Sequence, residues 1–163
     1  SFLVQTTTEI GGRAITAQTN HLTVSASISD ATVAPGERVA IVIAVTPHPT
    51  MHVYAPGKHN YQVVRLTVAP QPWLRAHETR YPPSEIYHFK PLDERVEVYS
   101  KPFRLVQDVT ILATPEVQKL LAAMSTVTIA GAVEYQVCDD RICYNPARVP
   151  ISFTVAMKAL DRQ

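Results

Sequence analysis

The chain has 163 residues, 46% of them hydrophobic, and its 15 Lys and Arg against 14 Asp and Glu leave a formal net charge of +1. With a mean hydropathy near zero and no run approaching the ~18 apolar residues of a membrane helix, a disordered or helically membrane-spanning chain is excluded. No basic cluster is present, so nucleic acid is not an expected partner. One domain of this length buries a sizeable core without a cross-link, which frees its two cysteines, Cys138 and Cys143, for other work. The sequence opens Ser1-Phe2-Leu3 with no charged-then-apolar leader and reads as a mature or excised segment.

Residues 1–20, "SFLVQTTTEIGGRAITAQTN", are weakly patterned and read as an arm or an extra edge strand, with the domain proper over 21–163. From there the dominant period is two. "HLTVSASISD" puts Leu22, Val24, Ala26 and Ile28 on one face. "VAPGE" reads as a turn, Pro35 fixing φ and Gly36 free to take a positive one. "RVAIVIAV" from Arg38 is a β-branched run, expected as a central strand buried on both faces. Strands are also expected from "YQVVRLTVA" at Tyr61, "VEVYSKPFRLVQDVTIL" at Val96, "STVTIAGAVEYQV" at Ser125 and "ARVPISFTVAM" at Ala147. That makes seven or eight strand-like segments. Prolines sit in the connections "VTPHPT", "APQPW" and "RYPPSE". One helix is expected, capped by Thr114 with Pro115 in its first turn, crossing between two strands. Many short strands and little helix predict an all-β, immunoglobulin-like β-sandwich, with a barrel as the other architecture.

The two cysteines fall in "YQVCDDRICYNP", between two predicted strands and so at the shoulders of a hairpin tip. Cross-strand positions there allow a disulfide. Three readings stand. A staple closing so short a loop removes only ~2 kcal/mol of chain entropy. Structural zinc wants four ligands, and His48, His52 and His59 lie in a Pro-interrupted stretch that aligns no pair. A redox dithiol at an exposed tip opens and closes without unfolding the domain. Arg141 favours a thiolate, but Asp139 and Asp140 oppose it, so no strongly depressed thiol pKa is expected.

Nearby side chains have plain readings too. Trp73 reads as a core or edge packer, and Glu85, Asp93 and Glu94 as a solvated rim. His88 reads as a loop histidine that could assist proton transfer at the thiols.

The stretch "VEYQVCDDRICYNPARVPISFTV" resembles the active-site hairpin of the amino-terminal periplasmic domain of the DsbD thiol–disulfide interchange proteins, through Tyr135, Gln136, Cys138, Cys143, Tyr144 and Pro146. "MHVYAPG" and "YPPSEIYHFKPLDERVEVYSKPFRL" resemble further segments of that family, so the similarity spans residues 21–157. It departs at Asn145-Pro146, where the family has Pro-Pro. The resemblance implies a periplasmic or otherwise extracytoplasmic domain that passes reducing equivalents by disulfide exchange without a cofactor. Its implied partners are a thioredoxin-like donor protein or domain and a periplasmic disulfide isomerase or other thiol protein, with possible fusion to a membrane-embedded domain. It implies Cys143 as the mixed-disulfide cysteine and Cys138 as the resolving one. Phe89, in "IYHFKPLDE", is the implied cap-loop shield, and Tyr135 and Tyr144 flank the pair. The competing function is a non-catalytic sandwich that binds protein through its loops, its disulfide merely bracing one of them.

Overall fold

The computed structural model describes residues 5–7 and 15–158. In chain order its strands begin with β1 (Gln5–Thr7), β2 (Ile15–Gln18), β3 (Leu22–Ile28), β4 (Thr32–Val33) and β5 (Arg38–Pro47). They continue with β6 (His52–Tyr54), β7 (Arg65–Val68), β8 (Leu74–Arg80), β9 (Glu85–Phe89), β10 (Glu94–Tyr99) and β11 (Phe103–Ile111). The helix α1 (Pro115–Ala122) then leads to β12 (Thr126–Tyr135), β13 (Val137–Cys138) and β14 (Ala147–Met157).

These strands form a six-stranded sheet, β1-β2-β3-β5-β11-β8, and two four-stranded sheets, β4-β14-β12-β7 and β13-β6-β10-β9. The first two face each other as an immunoglobulin-like sandwich. Their inward residues, among them Val24, Ile41, Ile43 and Leu105 from one and Ile129, Val133, Ile151 and Phe153 from the other, make one buried core. Trp73 belongs to that core as well. The all-β expectation is met, and α1 carries the Thr114 cap and first-turn Pro115 read from the sequence. It joins β11 of one sheet to β12 of the other. Around Gly36, whose φ is +90°, Glu37 N–H donates to Ala34 O at 3.1 Å and closes the expected turn.

Several strand expectations change. β5 is central, between β3 and β11, but it is not buried on both faces. Val39, Ile41, Ile43 and Val45 are buried while Ala40, Val42 and Ala44 are only half-buried, because a second layer covers one face of the sheet alone. The run from Val96 is two strands, not one. Ser100-Lys101-Pro102 breaks it, and β10 and β11 enter different sheets; Pro102 has no N–H to continue a ladder. The segment from Tyr61 is strand only from Arg65. β8 and β9 carry no clear two-residue period because β8 is mostly polar and neither strand has a fully buried residue.

Of residues 1–20, 1–4 and 8–14 lie outside the described residues. Residues 15–18 form β2, which pairs antiparallel with β3 and buries Ile15 and Ala17 in the core.

The third sheet positions the site. β5 leaves the sandwich, and β11 enters it, at one shared end, since Phe103 pairs with Val45. β12 leaves its ladder with β14 at Tyr135↔Ala147. The extensions β6, β10 and β13 then pair with one another beyond that end, Val98 with Tyr54 and Cys138 with His52.

On the outer face of the large sheet, Asp108 accepts from Arg38 Nε at 2.8 Å and from both Arg80 terminal nitrogens at 3.0 and 3.3 Å. The Arg80 hydrogen bonds foremost, with those of Arg38, hold its carboxyl below the usual carboxylate range. A carboxyl with a lowered folded pKa stabilises the fold above its unfolded pKa and stops doing so as pH falls through the folded one. Both arginines are more than half exposed, so the effect is screened. Asp108→Asn is expected to lower the melting temperature by roughly 2–4 °C at pH 7. Melts repeated down to strongly acidic pH should show the difference closing.

Candidate functional site

The site begins where β12 loses its partner. Past Tyr135 the chain turns at Gln136, and β13 pairs with β6 of the third sheet, Val137 with Val53 and Cys138 with His52. The cysteine hairpin is therefore a small element of its own, offset from the β12–β14 ladder. Its turn is tight: Asp139 N–H donates to Ile142 O at 3.0 Å. The Asp139 carboxylate accepts the Arg141 and Ile142 amides, each at 2.8 Å, and these bonds lower its pKa. Asp139 thus organises the turn rather than simply solvating it. On the return, Cys143 bridges to Cys138 and Tyr144 N–H donates to Val137 O at 2.9 Å.

Gln136 fastens this hairpin. Its Nε2 donates to Tyr144 O at 3.2 Å, and its Oε1 accepts the Gln62 amide at 3.2 Å. The two cysteines form a disulfide with Cα atoms 4.0 Å apart. Its halves differ in access: Cys138 is 1% exposed, and Cys143 is exposed to solvent.

Cys138 packs in a cluster with Tyr54, Val96 and Val98, and Tyr61 and Tyr87 cover it. The Tyr54 hydroxyl lies 2.9 Å from Cys138 Sγ and 3.5 Å from Cys143 Sγ. Burial first, then Tyr61 and Glu94, pushes this phenol far above its ordinary pKa, so it remains a protonated donor at neutral pH. Tyr61 stacks on Tyr54 with ring centroids 4.1 Å apart at 5°, and its hydroxyl donates to Glu94 Oε1 at 2.6 Å. His52 meets Tyr54 edge-on and packs on Tyr87 at 4.2 Å. Burial pulls its pKa down, against the pull of Asp139 and Glu85, so the imidazole is neutral at pH 7. A protonated phenol held against both sulfurs can donate a hydrogen bond to a leaving thiolate.

The predicted site residues fall in four places. Cys138 and Cys143 are joined. Phe89 ends β9 half-buried, opposite Glu94 and on the same face of the sheet as Cys138. Among the described residues, the half-buried rings packed on the Cys138 cluster are Tyr61 and Tyr87. The "IYHFKPLDE" stretch is a strand, a 3₁₀ turn at Lys90–Leu92 and the start of β10, a hairpin rather than a loop. Tyr135 is buried in the main core. Tyr144 turns its ring onto His21, with centroids 4.1 Å apart, on the side of the hairpin away from Tyr54.

The polar rim is more specific than expected. Glu94 takes the Tyr61 hydroxyl, Glu85 takes the Ser100 amide at 2.7 Å, and Asp93 pairs with His88 at 2.7 Å. His88 alternates with Tyr87 along β9 and so faces away from the sulfurs. His48 Nδ1 lies 3.1 Å from Asn20 O and His59 Nε2 2.6 Å from Ala55 O. No three metal-competent side chains converge among the described residues.

Sequence reasoning missed Tyr54, Tyr61, Tyr87 and His52 as neighbours of the disulfide. The signal lay in "MHVYAPG", which contains His52 and Tyr54, but nothing local showed that this strand pairs with β13.

A sandwich whose hairpin tip carries a disulfide with one sulfur buried and the other open fits a thiol–disulfide exchange domain. Residues 19–154 match the model of the family described as "Thiol:disulfide interchange protein DsbD, N-terminal". The chain belongs to that family. The fold is similar to the crystal structure of the N-terminal periplasmic domain of ScsB from Proteus mirabilis, at 12% identity and a TM-score of 0.54. That match covers 81% of this chain but 46% of the other, so this chain spans less than half the length of that relative. The reduced DsbD N-terminal domain of Neisseria meningitidis also aligns, at 12% identity and a TM-score of 0.49, over 72% of this chain and 78% of that one. No curated protein sequence matches.

Proposed function

We propose that the chain is an extracytoplasmic relay domain that passes reducing equivalents from a thioredoxin-like donor to acceptor thiol proteins, a disulfide isomerase among them, through Cys138 and Cys143. The exchange unit is residues 21–163, preceded by residues 1–20 as an N-terminal arm or extra edge strand. The observation that carries this reading is the unequal access of the two sulfurs, with Tyr54 held against both. The periplasmic origin named for the ScsB domain supports the compartment.

A donor thiolate reaches Cys143 Sγ alone. As the donor–Cys143 bond forms, the Cys138–Cys143 bond breaks and its electron pair leaves on Cys138. The Tyr54 hydroxyl donates to that leaving sulfur, which takes up a proton. The donor's second thiol then attacks the intermolecular disulfide, leaving an oxidised donor and a domain with two thiols. Passing the electrons on reverses the roles: Cys143 thiolate attacks the acceptor disulfide, and Cys138 resolves the intermediate. Ile142, 53% exposed beside Cys143, offers an apolar contact to either partner. No step uses a cofactor.

The test mixes the oxidised domain with a reduced thioredoxin-like protein and counts free thiols on both by alkylation. Two thiols should appear on the domain for each disulfide formed in the donor. A folded domain that keeps its disulfide under these conditions contradicts the reading. So does a double Cys→Ser variant that folds and still binds its partner with full function, as a mere binding module would.

A further inference from the structure

The two cysteines face different proton problems. Cys143 is exposed and can trade a proton with water directly. Cys138 is 1% exposed, and the hydroxyl 2.9 Å from its sulfur belongs to Tyr54, itself only 3% exposed. We propose that the Cys138 proton leaves and returns through a chain of three side chains, Tyr54, Tyr61 and Glu94, with Glu94 as the group that trades it with water. The proposal deepens the exchange reading above and rests on it.

The chain is continuous and runs one way. Tyr61 stacks on Tyr54 with ring centroids 4.1 Å apart at 5°, and the two hydroxyls lie within hydrogen-bond reach of each other. The Tyr61 hydroxyl donates its one proton to Glu94 Oε1 at 2.6 Å, so towards Tyr54 its oxygen is an acceptor. Access to solvent rises along the same line: Cys138 and Tyr54 are buried, while Tyr61 and Glu94 are half-buried. A carboxylate at the outer end can take up a proton that the phenols only pass on. The histidines beside the phenols offer no second way out. His59 packs on both rings, at 5.4 and 5.8 Å, but its Nδ1 accepts the Tyr61 amide at 3.2 Å and its Nε2 lies 2.6 Å from Ala55 O. His52 meets Tyr54 ring to ring, at 5.8 Å and 87°.

The chain acts when Cys138 resolves the intermolecular disulfide. Cys138 S–H gives its proton to the Tyr54 oxygen as Tyr54 passes its own to Tyr61 and Tyr61 passes its own to Glu94. The proton that Tyr54 has received then points at the new thiolate, the same hydrogen bond that serves the leaving sulfur in reduction. The thiolate electron pair forms the Cys138–Cys143 bond, and the pair of the breaking Cys143–acceptor bond leaves on the acceptor sulfur. Glu94 returns its proton to water. In reduction each transfer runs backwards, with water supplying the proton through Glu94. The earlier attack of Cys143 on the acceptor uses none of these groups.

Glu94→Gln separates this path from two other roles. The amide oxygen still accepts the Tyr61 hydroxyl, so a purely structural contact survives, but the amide does not take up a proton. Removing a carboxylate near the sulfur would by itself favour the thiolate and speed resolution, so a charge effect has the opposite sign. The reduced domain is mixed with an oxidised thioredoxin-like protein, and the mixed disulfide is followed by acid quench and non-reducing gels. In Glu94→Gln it should form at the wild-type rate and decay about tenfold more slowly, so that it accumulates. Tyr61→Phe cuts the chain and keeps the stack. It should show the same split, and it decides the question if Glu94→Gln folds poorly.

Decay as fast as in the wild type, or faster, would leave Glu94 a structural or electrostatic neighbour and overturn the proton path. Equal slowing of formation and decay would place the effect on Cys143 and overturn it too. In both cases wild-type exchange with the protein partner remains intact. Absence of that wild-type exchange would instead overturn the relay reading, and the proton path with it.

Discussion

Cys138→Ala is expected to accumulate as a mixed disulfide with an oxidised partner protein, whereas Cys143→Ala yields none. The cause is access. Cys143 lies open at the hairpin tip, while Cys138 is 1% exposed among Tyr54, Val96 and Val98. In Cys138→Ala the remaining thiolate attacks the partner disulfide, and no second thiol is present to resolve the product. In Cys143→Ala the remaining thiol sits in the cluster, where burial disfavours its thiolate and an approaching disulfide cannot align with it. Losing so short a staple removes only ~2 kcal/mol of loop entropy, so both variants should stay folded on the main core. Non-reducing gels after incubation with an oxidised thioredoxin-like protein read the difference, expected to exceed tenfold in trapped product. Equal trapping by both variants would contradict the assignment of Cys143 as the partner cysteine.

The second large effect belongs to Tyr54. Its hydroxyl lies 2.9 Å from Cys138 Sγ, the sulfur that must leave with an electron pair in a buried setting. A hydrogen bond to a charged group contributes about 1.5–3 kcal/mol, so Tyr54→Phe should slow reduction by about ten- to hundredfold. The same loss should raise the Cys138 thiol pKa in the reduced domain, because the bond favours the charged form. Thiol titration by alkylation rate reads that second effect, which a merely structural tyrosine would not produce. Tyr61→Phe breaks the Glu94 hydrogen bond but keeps the ring stacked on Tyr54, and a smaller rate loss is expected. An unchanged exchange rate in Tyr54→Phe would remove Tyr54 from the chemistry.

The sequence carried the local parts of this site well and the long-range parts poorly. Both cysteines, the turn between them and the flanking Gln136 and Pro146 lie in one short stretch, where spacing alone defines a hairpin. Tyr54 is 84 residues from Cys138. No periodicity in either segment reports that β6 and β13 are neighbours. The main sandwich was legible because β3, β12 and β14 alternate cleanly over one buried face. The third sheet was not, because its strands are short extensions that change sheets at corners such as Ser100-Lys101-Pro102. In β5 the β-branched run reflects strand preference as much as burial, which is why Val42 sits half-exposed in a segment read as buried on both faces. Phe89 is the shield that the family resemblance implies. Strand pairing puts it on the same face of the sheet as Cys138, and Tyr87, two residues earlier, supplies a ring on the Cys138 cluster.

Redox equilibration bears most directly on whether Cys138–Cys143 exchanges at all. The domain is held at defined ratios of reduced to oxidised dithiothreitol or glutathione, and the disulfide fraction is read by alkylation. An exchange disulfide should titrate at a midpoint of roughly −200 to −270 mV, within the range of thioredoxin-like partners. A midpoint below about −300 mV, where structural disulfides of secreted proteins lie, would mark the pair as a staple and contradict the relay.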